Sequence, residues 1–457
     1  MTPTPSESPR RSAAGRLAVM MFLQYAVWGI WIPYLANYLG APVDAGGLGF
    51  TGTQIGWLLG LAGSVGAVAA PLIAGQLADR VMNAERALGL LLLVGGVVKW
   101  ITAYQTSYGS WMVLSILYSV LYMPTLALTN SVAFANLDDP EKKFPPVRAL
   151  GTIGWIVASV AFPLVWMQQD LQLASSWPFM IGVDRPDATA RIADALIVSG
   201  VISILYGLFC LLLLPKTPPK KDAAQPLAFA EAIKLLRRVD VLLVTIAALL
   251  ISMIHQCYFF RTGPFLEHAI GVGAGQVGPI MALGQISEIV TLAVLGWFLK
   301  SLGYKTVLCL GAASYMLRYG IFALEPSPGV IKLAMLLHGM NYGFFFAGSF
   351  LYIERIAPPS IRHSAQTAFG IVILGVGPIL AGFYNGSFDR FRDPVASDPG
   401  ASVQSYNEFW WTQSAIAGVV LILLLVGFRS RAATAARPSA GGPTAGVGDP
   451  QAAPAER

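Results

Sequence analysis

Charge is what this chain has least of. Of its 457 residues only 12% are Asp, Glu, Lys or Arg, against about 25% in soluble domains. Hydrophobic residues make up 55%, and the mean hydropathy is +0.62. A soluble globular fold is excluded, and the chain reads as an all-α integral membrane protein whose surroundings are a lipid bilayer. Cysteine is equally scarce. Cys210, Cys257 and Cys309 all fall inside apolar runs, so they read as small packing residues; no disulfide framework, zinc-type spacing, metal site or cofactor is expected. The first sixteen residues carry Arg10, Arg11 and Arg16 but no small-residue cleavage site follows, so the first apolar run is expected to remain as a span.

What the chain has in abundance is long apolar runs. A spanning helix needs roughly 20 predominantly apolar residues, and twelve segments qualify: 17–39, 53–78, 86–106, 110–135, 145–168, 193–215, 241–266, 276–299, 304–324, 330–354, 360–384 and 406–429. They divide the chain into a cytoplasmic N-terminus (1–16), a six-helix bundle (17–215), a basic linker (216–240), a second six-helix bundle (241–430) and a tail (431–457) that is Ala-, Pro- and Gly-rich and expected to be disordered. In the linker, Leu227, Ala230, Ile233 and Leu236 recur at helical spacing beside Lys234, Arg237 and Arg238, which predicts an amphipathic helix on the membrane surface. With the N-terminus inside, 22 of the 30 basic residues fall in cytoplasmic segments and four in external loops, namely Arg185, Arg191, Arg390 and Arg392. That asymmetry predicts cytoplasmic termini.

The halves repeat. The "VKW" of Lys99–Trp100 and the "LRY" of Arg318–Tyr319 lie 219 positions apart; "FPPVRALGTIGW" before the fifth span is echoed by "APPSIRHSAQTAFG" before the eleventh, placing Arg148 and Arg362 214 apart. Duplicated bundles of this kind place a substrate site at the interface between halves that rock against each other.

"GQLADR", residues 75–80, resembles the loop motif of the major facilitator superfamily, with Asp79 and Arg80 as its charged pair. "FLQYAVWGIWIPYL", "YMPTLALTN", "FPPVRALGTIGW", "GQISE" and "SIRHSAQ" together resemble the bacterial nucleoside:proton symporters of that superfamily. The resemblance implies a major facilitator fold of two six-helix bundles related by pseudo-twofold symmetry. It also implies alternating access and proton-driven import of nucleosides of the uridine and adenosine class across a bacterial inner membrane. A working monomer, no nucleic-acid partner and no enzymatic reaction are expected.

Of 24 acidic residues, Glu288 alone stands near a span midpoint. A charge there costs about 2.5–3.5 kcal/mol on insertion scales, so Glu288 is expected to face a cavity or a partner. Gln285 and Glu288 share one helix face at i and i+3. They are read as binding nucleoside hydroxyls, with Glu288 also taking the coupling proton, since burial favours the neutral form of a carboxyl. The alternative is an ion pair with Arg318 or Lys99. Arg148, Thr152 and Trp155 share a face of the fifth span, and the resemblance implies substrate contacts at all three: donors for base carbonyls and an indole for stacking. Trp155 replaces a phenylalanine of the family. Arg148 could instead neutralise Asp138, Asp139 or Glu141.

Gln256 matches a substrate-binding glutamine of the resemblance, whereas Phe259 stands where an asparagine is common. His255 is read as the histidine well inside a span and as a candidate proton relay; Arg261 is expected to reach the outer cavity or snorkel outward. Gln24, Trp28 and Asn130 are further substrate candidates, each of which could equally join helices. Lys99 and Arg318 read as structural intramembrane charges. Gly343 stands where the resemblance suggests a second acid, with Asn341 nearby. A serine protease using Ser64 and His255, a receptor, and a sugar or sugar-derivative proton symporter are the competing functions; the last suits the Gln285–Glu288 pair, and base stacking on Trp155 discriminates it.

Overall fold

The computed structural model describes residues 7–76, 82–218, 233–358, 361–386 and 399–429. Ten helices there are long and apolar enough to cross a membrane. One of them, Ala274–Ala323, is 50 residues long, about twice what a bilayer needs. It reverses at Gly303, where φ is +77°, a left-handed conformation that glycine adopts without a Cβ clash. Ala84–Thr102 is a further 19-residue helix, made less apolar by Glu85, Arg86 and Lys99. The described residues therefore hold twelve helical passes, as the apolar runs require.

Within the N-terminal half, small residues let helices approach closely. A methyl group at Gly29 of the first span would fall 2.5 Å from the Trp155 carbonyl oxygen of the fifth, and one at Gly154 would fall 2.1 Å from that of Phe22. Gly96 and Gly200 join the third span to the sixth in the same way, each methyl landing 2.7 Å from the other's carbonyl oxygen. All three cysteines are buried and free.

The all-α membrane fold carries one small extramembrane addition. Between the fifth and sixth spans, β1 (Gln168–Leu173) and β2 (Met180–Asp184) pair antiparallel. The first strand, "QQDLQL", is polar and largely exposed, so no apolar alternation marks it in the sequence.

The two halves are pinned together at the end of the molecule that carries this hairpin. Gly275 N–H donates to both carboxylate oxygens of Asp184, at 3.2 and 3.3 Å, and the Trp177 indole donates to the Pro279 carbonyl at 2.7 Å. The Asn37 amide donates to Glu267. Thr53 donates to the Gly386 carbonyl at 3.2 Å, and Asn385 to that of Gly52 at 3.2 Å. Arg261 belongs to this seam: it is buried, and its Nε donates to Asn385 Oδ1 at 2.6 Å, so it faces inward and does not snorkel.

In the linker residues 216–218 and those from 233 onward are described, with Leu235–Arg237 a 3₁₀ turn. The rest of the expected amphipathic helix, Asp79 and Arg80, and the tail 431–457 lie outside the described residues.

Candidate functional site

The fifth span (Pro140–Phe162) and the first half of Val277–Ala323 come from different halves and touch near the pinned end. A methyl at Gly278 would lie 1.6 Å from the Tyr34 hydroxyl and 2.4 Å from the Ser159 carbonyl oxygen, so only glycine allows this approach. From that point each helix runs inward with a polar stripe on the contact side: Ser159, Trp155, Thr152 and Arg148 on one, Gly278, Gln285 and Glu288 on the other. At 1.5 Å per residue, the eleven residues from Ser159 to Arg148 and the ten from Gly278 to Glu288 cover about 16 and 15 Å. Arg148 and Glu288 thus lie at nearly equal depth.

Glu288 and Arg148, one from each half, lie within electrostatic range of each other. Glu288 is deep in the bundle yet keeps accessible surface, and no salt bridge or hydrogen bond engages it among the described residues. The expected alternative, an ion pair with Arg318 or Lys99, is absent there. Tyr315 and Tyr342 also lie within electrostatic range of its carboxylate. Arg148 is half-buried, its guanidinium 4.2 Å from the centre of the Tyr25 ring. The acids considered as its partners are engaged elsewhere: Asp139 with Lys142 at 3.4 Å and Asp138 with Lys143 at 3.5 Å, while the Glu141 side chain lies outside the described set. Arg362, its sequence echo, is exposed.

Thr152 is half-buried and Trp155 nearly enclosed, 7% exposed. Gln256 is half-buried and makes no hydrogen bond among the described residues. Asn130 and Trp28 are half-buried as well, Trp28 lying 5.4 Å from the Tyr122 ring. Gln24 is different. It is fully enclosed, its amide donating to Thr125 at 2.8 Å and accepting from Thr129 at 3.1 Å, so in this conformation it ties the first span to the fourth.

Gln285 is 7% exposed and belongs to a buried network. Its amide end lies 3.4 Å from His338 Nε2, whose other ring nitrogen lies 2.8 Å from Arg318 Nη1. His338 is 1% exposed within Pro328–Ile356, which corrects the reading of His255 as the histidine well inside a span. The two rings stack, centroids 5.4 Å apart, and His255 Nδ1 meets the Tyr315 hydroxyl at 2.8 Å. The edge of Phe259 faces His255 at 5.4 Å, an apolar wall where the resemblance offered an amide. The sequence cue for His338 was present, a histidine beside Gly339 in an apolar run. Its importance rests on helix pairing, which spacing alone does not reveal.

Lys99 and Arg318 are both buried among aromatic rings. The Lys99 ammonium sits 3.8 Å from the Trp31 ring centre and 3.7 Å from that of Tyr118; the Arg318 guanidinium sits 4.1 Å from Tyr258. At Gly343 a methyl would lie 2.8 Å from Thr291 Cγ2, so a side chain there would press on the eighth span. Asn341 is buried and accepts from Ser314. Ser64 donates locally to the Gly60 carbonyl at 2.6 Å, so its hydroxyl is committed to its own helix and away from His255.

A family model described as "Nucleoside H+ symporter" matches residues 12–433. The xanthosine permease of Escherichia coli K12 is 29% identical over 439 residues, covering 92% of this chain and 96% of that protein. The nucleoside permease NupG of the same organism is 26% identical over 397 residues, covering 81% and 86%. A crystal structure of nucleoside transporter NupG superposes with a TM-score of 0.75 over 92% of this chain and 100% of that one, at 24% identity, which shows a shared fold.

Proposed function

The chain belongs to the nucleoside H+ symporter family, and from that premise we propose that it imports nucleosides by carrying them, with a proton, between Arg148 of one half and Glu288 of the other. It is a secondary transporter and a multi-pass membrane protein, and no reaction chemistry is assigned to it. The observation that carries the site is Glu288: a carboxyl at mid-depth with no ion-pair or hydrogen-bond partner among the described residues, at nearly the same depth as Arg148 of the other half. An intramembrane acid without a protein partner costs free energy unless water or cargo meets it.

In this reading Glu288 holds the coupling proton and a nucleoside hydroxyl, Arg148 and Thr152 donate to base carbonyls, Trp155 stacks on the base, and Gln256 adds an amide. Trp28 and Asn130 line the approach. His255, held by Tyr315, passes protons only as a secondary route. The halves 17–215 and 241–430 rock about the site, in a bacterial inner membrane with both termini cytoplasmic. The hairpin end is then extracellular and closed in this conformation. Coupling requires that proton and nucleoside together favour one state over the other.

Uptake of labelled uridine, adenosine and xanthosine into cells lacking their own nucleoside permeases, with and without an uncoupler, tests the reading. Uncoupler-sensitive accumulation is expected. Uptake of a free sugar with no nucleoside uptake would overturn it in favour of a sugar symporter.

A further inference from the structure

Arg318 is fully buried, and no carboxylate pairs with it among the described residues. Its partners are His338 Nδ1 at 2.8 Å, Met335 Sδ at 3.1 Å and the face of Tyr258. A guanidinium only donates. His338 Nδ1 must therefore carry a lone pair, which in a neutral imidazole places the proton on Nε2. That N–H points at the amide end of Gln285, 3.4 Å away. Two donors cannot bond, so the group facing His338 is the Gln285 carbonyl oxygen; amide oxygen and nitrogen are distinguished by their hydrogen-bond partners and not by shape. The other end of the amide, buried and without a partner among the described residues, is then the NH2 group.

We propose that Arg318, acting through His338, is a positioning relay that fixes Gln285 as a hydrogen-bond donor, so that the site selects cargo presenting an acceptor oxygen there, on the ribose or its hydroxyls. The packing supports a fixed ring. A methyl at Gly284 would lie 2.9 Å from His338 Cβ, and Gly339 N–H donates to Ser287 Oγ at 2.9 Å, so the tenth span is seated on the eighth directly beside Gln285. The inference rests on the nucleoside reading for the identity of the cargo. The tautomer and the amide orientation do not depend on it.

Two measurements test the relay. The chain holds four histidines, so ¹⁵N-histidine labelling of the purified protein, with His338 assigned by its loss in His338→Gln, reads the ring directly. A protonated Nε2 and a bare Nδ1 are expected; the opposite tautomer overturns the proposal whatever the protein transports. In uptake assays normalised to the amount of transporter in the membrane, His338→Leu should raise KM about tenfold, the worth of roughly one hydrogen bond, with a much smaller change in maximal rate per molecule. His338→Gln, which can accept from Arg318 and donate to Gln285, should restore most of that affinity. Wild-type protein should discriminate against either 2′-deoxy- or 3′-deoxyadenosine, and His338→Leu should lose that discrimination. Unaltered KM and discrimination in His338→Leu would overturn the relay, whereas absence of nucleoside uptake by the wild type would count against the cargo alone.

Discussion

Lys99 and Arg318 hold equivalent places in the two halves, yet their surroundings differ. Each is sealed among aromatic rings, and each touches a residue of the following span, Tyr118 for Lys99 and His338 for Arg318. Those two residues are themselves 220 positions apart. In the N-terminal half no hydrogen bond carries on from there among the described residues: the Tyr118 hydroxyl is buried without a partner and its ring stacks on Tyr122. In the C-terminal half the chain of contacts continues through His338 to Gln285, one helical turn from Glu288. Equivalent positions thus carry an aromatic neighbour in one half and a polar relay in the other. Lysine suits the closed end as a compact charge against ring faces, whereas arginine's fork can serve several acceptors at once.

The sharpest way to break this comparison is to neutralise both cations alike. Arg318→Met leaves His338 without its donor and the Gln285 amide unfixed. A loss of about 1–3 kcal/mol for each unpaired buried group should lower the thermal unfolding midpoint and cut uptake at least tenfold. Lys99→Met removes cation–π attraction of about 1–2 kcal/mol but also relieves a buried charge. Stability and uptake should stay close to wild type. Equal damage in the two variants would erase the distinction.

A second contrast sets Arg148 against its echo Arg362. One lies beneath Tyr25 opposite Glu288 and the other is exposed. Arg148→Gln should raise KM for nucleosides about tenfold, as expected when a charged hydrogen bond to cargo is lost, and Arg362→Gln should change it less than twofold; kinetics of both variants read this directly. The smallest effect concerns stacking. Trp155→Phe keeps an aromatic ring but reduces its area, and affinity should fall by about 1 kcal/mol or less, more for purine than for pyrimidine nucleosides in competition assays.

The spans and the site differ in how far the chain alone reveals them. Twelve apolar runs fixed the passes because a bilayer demands about 20 apolar residues regardless of packing, and even the reversal at Gly303 fell in the expected gap. Glu288 stood out through the cost of a charge in lipid, whereas Arg148, Thr152 and Trp155 share a helix face whose reading as substrate contacts came from the family resemblance. The β1–β2 hairpin did not, because its polar strands carry no apolar rhythm. His338 was overlooked, and Gln285 read simply as a ligand, because their meaning depends on which spans lie side by side. Arg362 showed the converse: a repeat in sequence did not guarantee a repeat in environment.

The central claim is that Glu288, which has no ion-pair or hydrogen-bond partner among the described residues, couples the proton to the cargo. Glu288→Gln keeps the size and hydrogen-bonding capacity of the side chain but cannot ionise. In proteoliposomes with an imposed proton gradient, the variant should still exchange labelled nucleoside across the membrane while failing to accumulate it above the outside concentration. Gradient-driven accumulation at the wild-type level would contradict the account.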